Sequence, residues 1–287
     1  YGDDRPLSII RYNIDGTLFA SGSLSPLVKL WNSTTLQHVK TLRGHTDRVT
    51  SLAWRKYDLN SNNTAKLLAT SSADGTCLIW DCSSLSVHNS SSNEAEDAMA
   101  VEDNGSVGKA SIMKQKLKGH NGIVADCDFH PFMNIVGTAC HDQSWRLWDV
   151  ETGQEFLLQD GHVKECSSIT FHPDGSLVFT TDAGGVALLW DLRSGQMIQG
   201  FQGHIKRINH SSFHLNGFHV ATSSVDNTVK IWDLRKKKCH YTLPAHSNVI
   251  SDVCFSKSGE LLLTSSFDGT LKTWNSRDYN IIRTLTG

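Results

Sequence analysis

Histidine, aspartate and a hydroxyl group within reach of one another are the parts of a hydrolytic triad, and this chain of 287 residues supplies them several times over. The sets, each joined by a tryptophan, are His45/Thr70/Asp74/Trp80, His120/Thr138/Asp142/Trp148, His204/Thr222/Asp226/Trp232 and His246/Thr264/Asp268/Trp274. Ser72, Ser224 and Ser266 lie two residues past the threonine with the same strand parity, so they are alternative hydroxyls. A catalytic centre occurs once, whereas this constellation recurs, and no serine stands in a nucleophile-elbow motif. The chemistry that suits recurrence is mutual hydrogen bonding. Tryptophan offers one N–H, threonine donates and accepts, neutral histidine does one of each, and aspartate accepts. Buried together, such groups satisfy one another; buried singly, each costs free energy. The sets therefore read as structural tetrads, and the chain as a non-enzyme without metal or cofactor.

Other chemistry-bearing residues point the same way. His204, His210, His214 and His219 spread over a loop and two strands without metal-ligand spacing. Gly184-Gly185 falls in a hairpin turn and not in a phosphate-binding loop. Seven cysteines form an odd set with no CxxC pair, which reads as reduced thiols filling the core of an intracellular protein. The net charge of −2 gives no global positive field toward nucleic acid or anionic membrane. The apolar runs fall far short of the roughly 20 residues that span a bilayer, so no membrane partner is expected.

The elements that must position the tetrads come from a period. Trp148, Trp190, Trp232 and Trp274 are spaced by 42 residues, as are His120, His162, His204 and His246. Each unit reads GH, an apolar strand, a turn, a second strand, an aspartate-bearing turn and xWD or xWN. Two earlier units, ending at Trp80 and Trp31, fit once insertions at residues 58–64 and 83–111 are allowed. HVATSSVDNTVKIWDL pairs two β-branched runs through an Asp-Asn turn, as a tight hairpin requires. The period matches the WD40 repeat, whose unit is one four-stranded propeller blade. The fold is thus all-β, with six units at about 1–43, 44–118, 119–160, 161–202, 203–244 and 245–287. The aspartate position holds Ser25 in the first unit and Gly184 in the fourth, where Asp182 sits two residues early, so those two blades should be less rigidly tied.

Features outside the repeat are candidates for contact with partners. Trp145 in DQSWRLWD replaces the small or β-branched residues of other units, and is suited either to a wider core gap or to recognition, with Arg146 beside it. Arg235, Lys236, Lys237 and Lys238 form the densest basic run, between the third and fourth strands of the fifth unit. Lys114, Lys116 and Lys118 alternate along one face of an outermost strand, where lysine discourages edge pairing. Residues 83–111, rich in Ser, Asn, Glu and Asp, should be a disordered excursion.

Longer words are more specific. GDDRPLS (2–8), TLRGH (41–45), SWRLWDVETGQE (144–155), DNTVKIWDLRKKKC (226–239) and YTLPAH (241–246) resemble the WD-repeat family of the spliceosomal U4/U6 small nuclear ribonucleoprotein, the pre-mRNA processing factor 4 family. The resemblance runs from about residue 2 to 287 and includes Ser25 and Ala245-His246; the 83–111 insertion and Gly184 depart from it. It implies a seven-bladed propeller, of which six units are present, following an N-terminal segment absent here. It also implies a nuclear, non-catalytic scaffold of the U4/U6 and U4/U6·U5 particles, with splicing factors and U4/U6 snRNA as partners and no small-molecule substrate. WDLR at 190–193 and 232–235 resembles instead the docking box of substrate receptors of cullin-type ubiquitin ligases, the alternative reading.

Overall fold

The computed structural model describes residues 5–56, 66–85 and 112–286. Six sheets of four antiparallel strands follow one another, each built in sequence order. The first holds β1 (Leu7–Tyr12), β2 (Leu18–Ser23), β3 (Val28–Asn32) and β4 (His38–Leu42). The second holds β5 (Val49–Trp54), β6 (Leu67–Ser72), β7 (Thr76–Asp81) and β8 (Met113–Lys118). Then come β9 (Val124–Phe129), β10 (Ile135–Cys140), β11 (Ser144–Asp149) and β12 (Glu155–Asp160). The fourth holds β13 (Cys166–Phe171), β14 (Leu177–Asp182), β15 (Val186–Asp191) and β16 (Met197–Gln202). The fifth holds β17 (Ile208–Phe213), β18 (His219–Ser224), β19 (Val229–Asp233) and β20 (Lys238–Leu243). The last holds β21 (Ile250–Phe255), β22 (Leu261–Ser266), β23 (Thr270–Asn275) and β24 (Ile281–Thr286). The chain is a six-bladed β-propeller, with successive inner strands from β1 to β21 packed side by side around a channel.

The blades are small sheets that bury both faces only against neighbours, so the core lies between them. Ala53, Ala69 and Ile79 of the second blade pack on Cys127, Phe129, Val136 and Trp148 of the third. Polar stitches add register. Thr50 Oγ1 donates to the carbonyl of Val124 (2.5 Å), Ser167 Oγ to that of Ile208 (2.5 Å) and Asn209 Nδ2 to that of Ile250 (2.7 Å). Three histidines add a second row. The Nε2–H groups of His130, His172 and His214 donate to the carbonyls of Gly175, Gly217 and Gly259, each one blade ahead. Between β14 and β15 the turn is tight enough that a Cβ on Gly185, at φ +82°, would lie 2.6 Å from the His204 carbonyl oxygen. Only glycine fits there.

The seam between the sixth and first blades differs. Leu285 is 44% exposed where Leu243 and Phe201, its counterparts, are 4% and 2% exposed. Across the seam Leu7 is 51% exposed where Ile208 is fully buried. Ser251, at the position of the stitching Ser167 and Asn209, turns back to its own blade and bonds Ser265. The two blades meet through Arg11 Nη1 on Asp252 Oδ2 (2.7 Å) and Lys257 Nζ on the Ile14 carbonyl (2.7 Å).

Segment 58–64, and all of the 83–111 insertion beyond Leu85, lie outside the described residues. Five cysteines are buried; Cys239 is partly exposed and Cys254 exposed, so the thiols are not uniformly core.

Candidate functional site

The repeated polar set takes the same geometry in each blade where it is complete. In the fifth, Trp232 Nε1–H donates to Thr222 Oγ1 (2.9 Å), and that hydroxyl meets His204 Nε2 (2.9 Å). His204 Nδ1 meets Asp226 Oδ2 at 2.8 Å. One assignment satisfies every group: a neutral imidazole with Nδ1–H on aspartate and Nε2 accepting from threonine. Corresponding bonds join Trp80, Thr70, His45 and Asp74, Trp148, Thr138, His120 and Asp142, and Trp274, Thr264, His246 and Asp268. The hydroxyl is threonine throughout. Ser72, Ser224 and Ser266 instead hold the loop behind, donating to Arg48, Arg207 and Val249 carbonyls and receiving the N–H of Asp74, Asp226 and Asp268.

The strands dictate this convergence. Threonine and tryptophan stand ten residues apart across a hairpin, on paired strands and one face, as in Val220↔Trp232 with Thr222 two residues on. The aspartate occupies the turn between them, and the histidine comes from the loop leading into the blade. Burial would raise the carboxyl of Asp226, but the His204 ring and the Thr228 hydroxyl and N–H outweigh it and hold the group well below the usual carboxylate range. Asp74, Asp142 and Asp268 are held down in the same way. Burial lowers His120 and His246 despite their aspartate partners, so both imidazoles stay neutral at pH 7.

The fourth blade corrects the sequence reading. Asp182 Oδ2 meets His162 Nδ1 at 3.1 Å, His162 Nε2 meets Thr180 Oγ1 at 2.7 Å, and Trp190 Nε1 donates to Thr180 at 2.8 Å. The blade is as fully tied as its neighbours. Asp182 stands where Ser224 stands in the fifth blade, two residues past threonine on the same face, and its longer side chain reaches the histidine from there. It also accepts the N–H groups of Gly184 and Val186. In the first blade Trp31 Nε1 donates to Ser21 Oγ (2.8 Å) and Ser23 bonds Ser25 (2.7 Å).

Trp145 and Arg146 also need correction as contact candidates. Trp145 is completely buried, edge-on to Trp190 with ring centres 5.4 Å apart, so it fills the gap between third and fourth blades. Its position on β11 faces the next blade, and a surface partner cannot reach it. Arg146 is buried as well, bonded to Glu155 (2.6 Å) and 3.9 Å from Asp142. Among the described residues, Trp145 Nε1 and Arg146 Nε have no hydrogen-bond partner.

The basic run is exposed. Arg235 to Lys237 lie in the turn between β19 and β20 and Lys238 opens β20, with the N–H groups of Arg235 and Lys236 capped by Asp233 Oδ1 (2.9 and 3.2 Å). The Arg235 guanidinium lies 4.4 Å from the centre of the Phe218 ring and 3.4 Å from Asp233 Oδ2. Lys114, Lys116 and Lys118 lie on the outermost strand of their blade.

Sequence reasoning missed the channel. Arg11, Asp252 and His210 converge there from three blades, with His210 Nδ1 2.9 Å from Asp252 Oδ1 and Nε2 3.4 Å from Arg11 Nη2. Burial opposes the charge on His210, but Asp252 outweighs it and raises the imidazole. Asp252 in turn is held far below the usual range by His210 and Arg11 despite burial. Arg11 and His210 border a cavity of about 480 Å³ that is also lined by Tyr12, Trp54, Phe255 and Lys257. A charged residue among the apolar ones of an inner strand, as in ISDVCF, is the signal that could have found it.

The four histidines whose spacing argued against a metal set serve other contacts: His204 is in its tetrad, His210 in the channel, and His214 on Gly259 with the His219 ring edge-on to it at 6.2 Å. Among the described residues His120, Cys140 and Asp142 bring one donor atom each within 4.8 Å. They are already bonded to one another, and burial pushes the Cys140 thiol up to about 12.

Comparison with known proteins agrees with this architecture. The WD domain, G-beta repeat, matches residues 36–81, 112–149, 154–191, 195–233 and 237–275, well over half of the chain. An uncharacterized WD repeat-containing protein of Schizosaccharomyces pombe is 43% identical over 86 residues, 29% of this chain and 18% of that protein. The U4/U6 small nuclear ribonucleoprotein PRP4 of Saccharomyces cerevisiae is 31% identical over 158 residues, 55% of this chain and 28% of PRP4. Human eukaryotic translation initiation factor 3 subunit I is 31% identical over 81 residues, 28% of this chain and 23% of that subunit. The chain thus spans less than a third of the length of each of these relatives. Five matched repeats on six tetrad-bearing or tetrad-like blades place the chain in the WD domain, G-beta repeat family.

Proposed function

We propose that this WD-repeat propeller is a non-catalytic scaffold of the U4/U6 and U4/U6·U5 small nuclear ribonucleoproteins, acting in the nucleus through protein contacts first and RNA contacts second. The observation that carries the reading is the similarity to PRP4 over more than half of the chain, wider than the overlap with the translation factor subunit. The tetrads support a rigid platform, because their histidines and aspartates are spent on one another and recur in most blades. Arg235, Lys236, Lys237 and Lys238 are the proposed partner-facing residues. We further propose that the propeller closes with a seventh blade over the seam, since Leu285 and Leu7 are exposed only where a neighbour would cover them.

Affinity purification of the full-length protein from nuclear extract, with identification of the co-purifying proteins, tests the scaffold reading. Splicing factors of the U4/U6 particle are the expected result. Recovery of a cullin-ligase adaptor, which the WDLR words at 190–193 and 232–235 would fit, or of translation initiation factor subunits, would overturn it.

A further inference from the structure

The turn carrying the basic run recurs. Arg193, Arg235 and Arg277 each follow the repeat tryptophan by three residues, in three consecutive blades. In each case the arginine N–H is capped by the side-chain oxygen two residues earlier, Asp191 (2.8 Å), Asp233 (2.9 Å) or Asn275 (2.9 Å). The three turns therefore share one conformation, and the three arginines stand at equivalent points on the same rim, all exposed. The first three blades carry Thr34, Ser83 and Glu151 at this place, so the cationic rim belongs to blades four to six.

Rings lie among these cations. Phe218 and Tyr241 are 46% and 43% exposed, although both are large aromatic groups. Tyr241 is stacked on Tyr279, with centres 4.9 Å apart and planes 19° apart, and Tyr279 is itself buried. A buried ring thus fixes the exposed one and leaves its other face to solvent, which makes a preformed stacking platform. His240 meets Tyr279 from the side, with centres 6.4 Å apart. Phosphate-facing cations interleaved with such faces are the combination that binds unpaired strands, since every base has a π-face.

We propose that the rim of blades four to six is a track for single-stranded nucleic acid, with phosphates on Arg193, Arg235, Lys236 and Arg277 and a base stacked on Tyr241. A duplex would use the cations but not the rings, and an acidic peptide offers no planar face to stack. The proposal rests on the scaffold reading only in that the natural strand would be RNA of the particle.

The test is fluorescence anisotropy of the full-length protein with a labelled uridine-rich 12-mer RNA, with the same strand annealed in a duplex, and with polyglutamate as competitor. The single strand should bind more tightly than the duplex. Tyr241→Leu, which keeps apolar cover over Tyr279, should weaken single-strand binding about tenfold and leave duplex binding unchanged. Replacing the three arginines by glutamine should lower the slope of log affinity against log salt by about 2. Unchanged thermal melting of both variants confirms that they fold. Equal binding of duplex and single strand, no effect of Tyr241→Leu, or displacement by polyglutamate as effective as by RNA would overturn the proposal, the last in favour of an acidic protein partner. The assay needs no particle, so it can fail while splicing factors still co-purify, and it can succeed if they do not.

Discussion

Threonine is the hub of each tetrad, because its one hydroxyl both receives the tryptophan N–H and serves the histidine. Thr222→Val keeps the shape and strands two buried groups, so it should lower the unfolding free energy by about 2–4 kcal/mol in a urea titration. Trp145 offers the opposite case. Its indole N–H has no partner among the described residues, whereas that of Trp148 bonds Thr138 at 2.8 Å. Trp145→Phe should therefore cost less than Trp148→Phe, by about 1 kcal/mol, in parallel urea titrations; equal costs would refute the assignment. Acid sensitivity follows from the imidazoles. Burial lowers His120, His130, His141, His219 and His246 below their unfolded value near 6.5, so the unfolded chain binds more protons between that value and the lower folded ones. Their contribution is complete above pH 6.5 and is lost as pH falls through that window. His210, raised by Asp252, has the reverse sign and contributes more at low pH. Five against one, the urea midpoint should fall from pH 7 to pH 5; a midpoint that rises would contradict the balance. The tetrad aspartates add to the loss only below about pH 4, where unfolded carboxyls take up protons.

At the level of the element, the hairpins were legible because their chemistry is local. Alternating β-branched residues and the Asp-Asn turn in HVATSSVDNTVKIWDL fix β18 and β19, and Asn227 accepts the positive φ its turn needs. The fourth blade was misread for a reason of geometry. Spacing placed its aspartate at Gly184, but any residue on the threonine's face near the strand end can reach the histidine, and Asp182 does so from the serine position. Asp182→Gly should then destabilise the propeller as much as Asp226→Gly, within about 0.5 kcal/mol by urea unfolding. A negligible effect would restore the weaker reading of that blade. Asp252 stands out among the apolar residues of its strand, but the burial of Trp145 and the convergence of Arg11, Asp252 and His210 were not legible for a different reason. Whether an aromatic or a charge points to solvent or to a neighbour depends on how wide the gap between blades is, and no single strand encodes that distance.

For the whole molecule, the seam sets behaviour in solution. The uncovered faces of the first and sixth blades expose Leu7, Ile10, Tyr12 and Leu285, residues whose counterparts elsewhere are covered. Contiguous apolar surface of this kind drives association. The polypeptide of residues 1–287 should sediment as concentration-dependent oligomers, and Leu7→Glu with Leu285→Glu should shift it toward monomer. A monomer at all concentrations would show the seam to be closed in solution. The scaffold reading itself is tested by what the full-length protein brings down from nuclear extract. Purified from nuclear extract under low salt, it should bring down U4 and U6 RNA at least about tenfold over U1 and U2, measured by reverse-transcription PCR against a mock purification. Recovery of U4 and U6 no greater than that of U1 and U2 would contradict the account, and leave a propeller whose partners lie outside this particle.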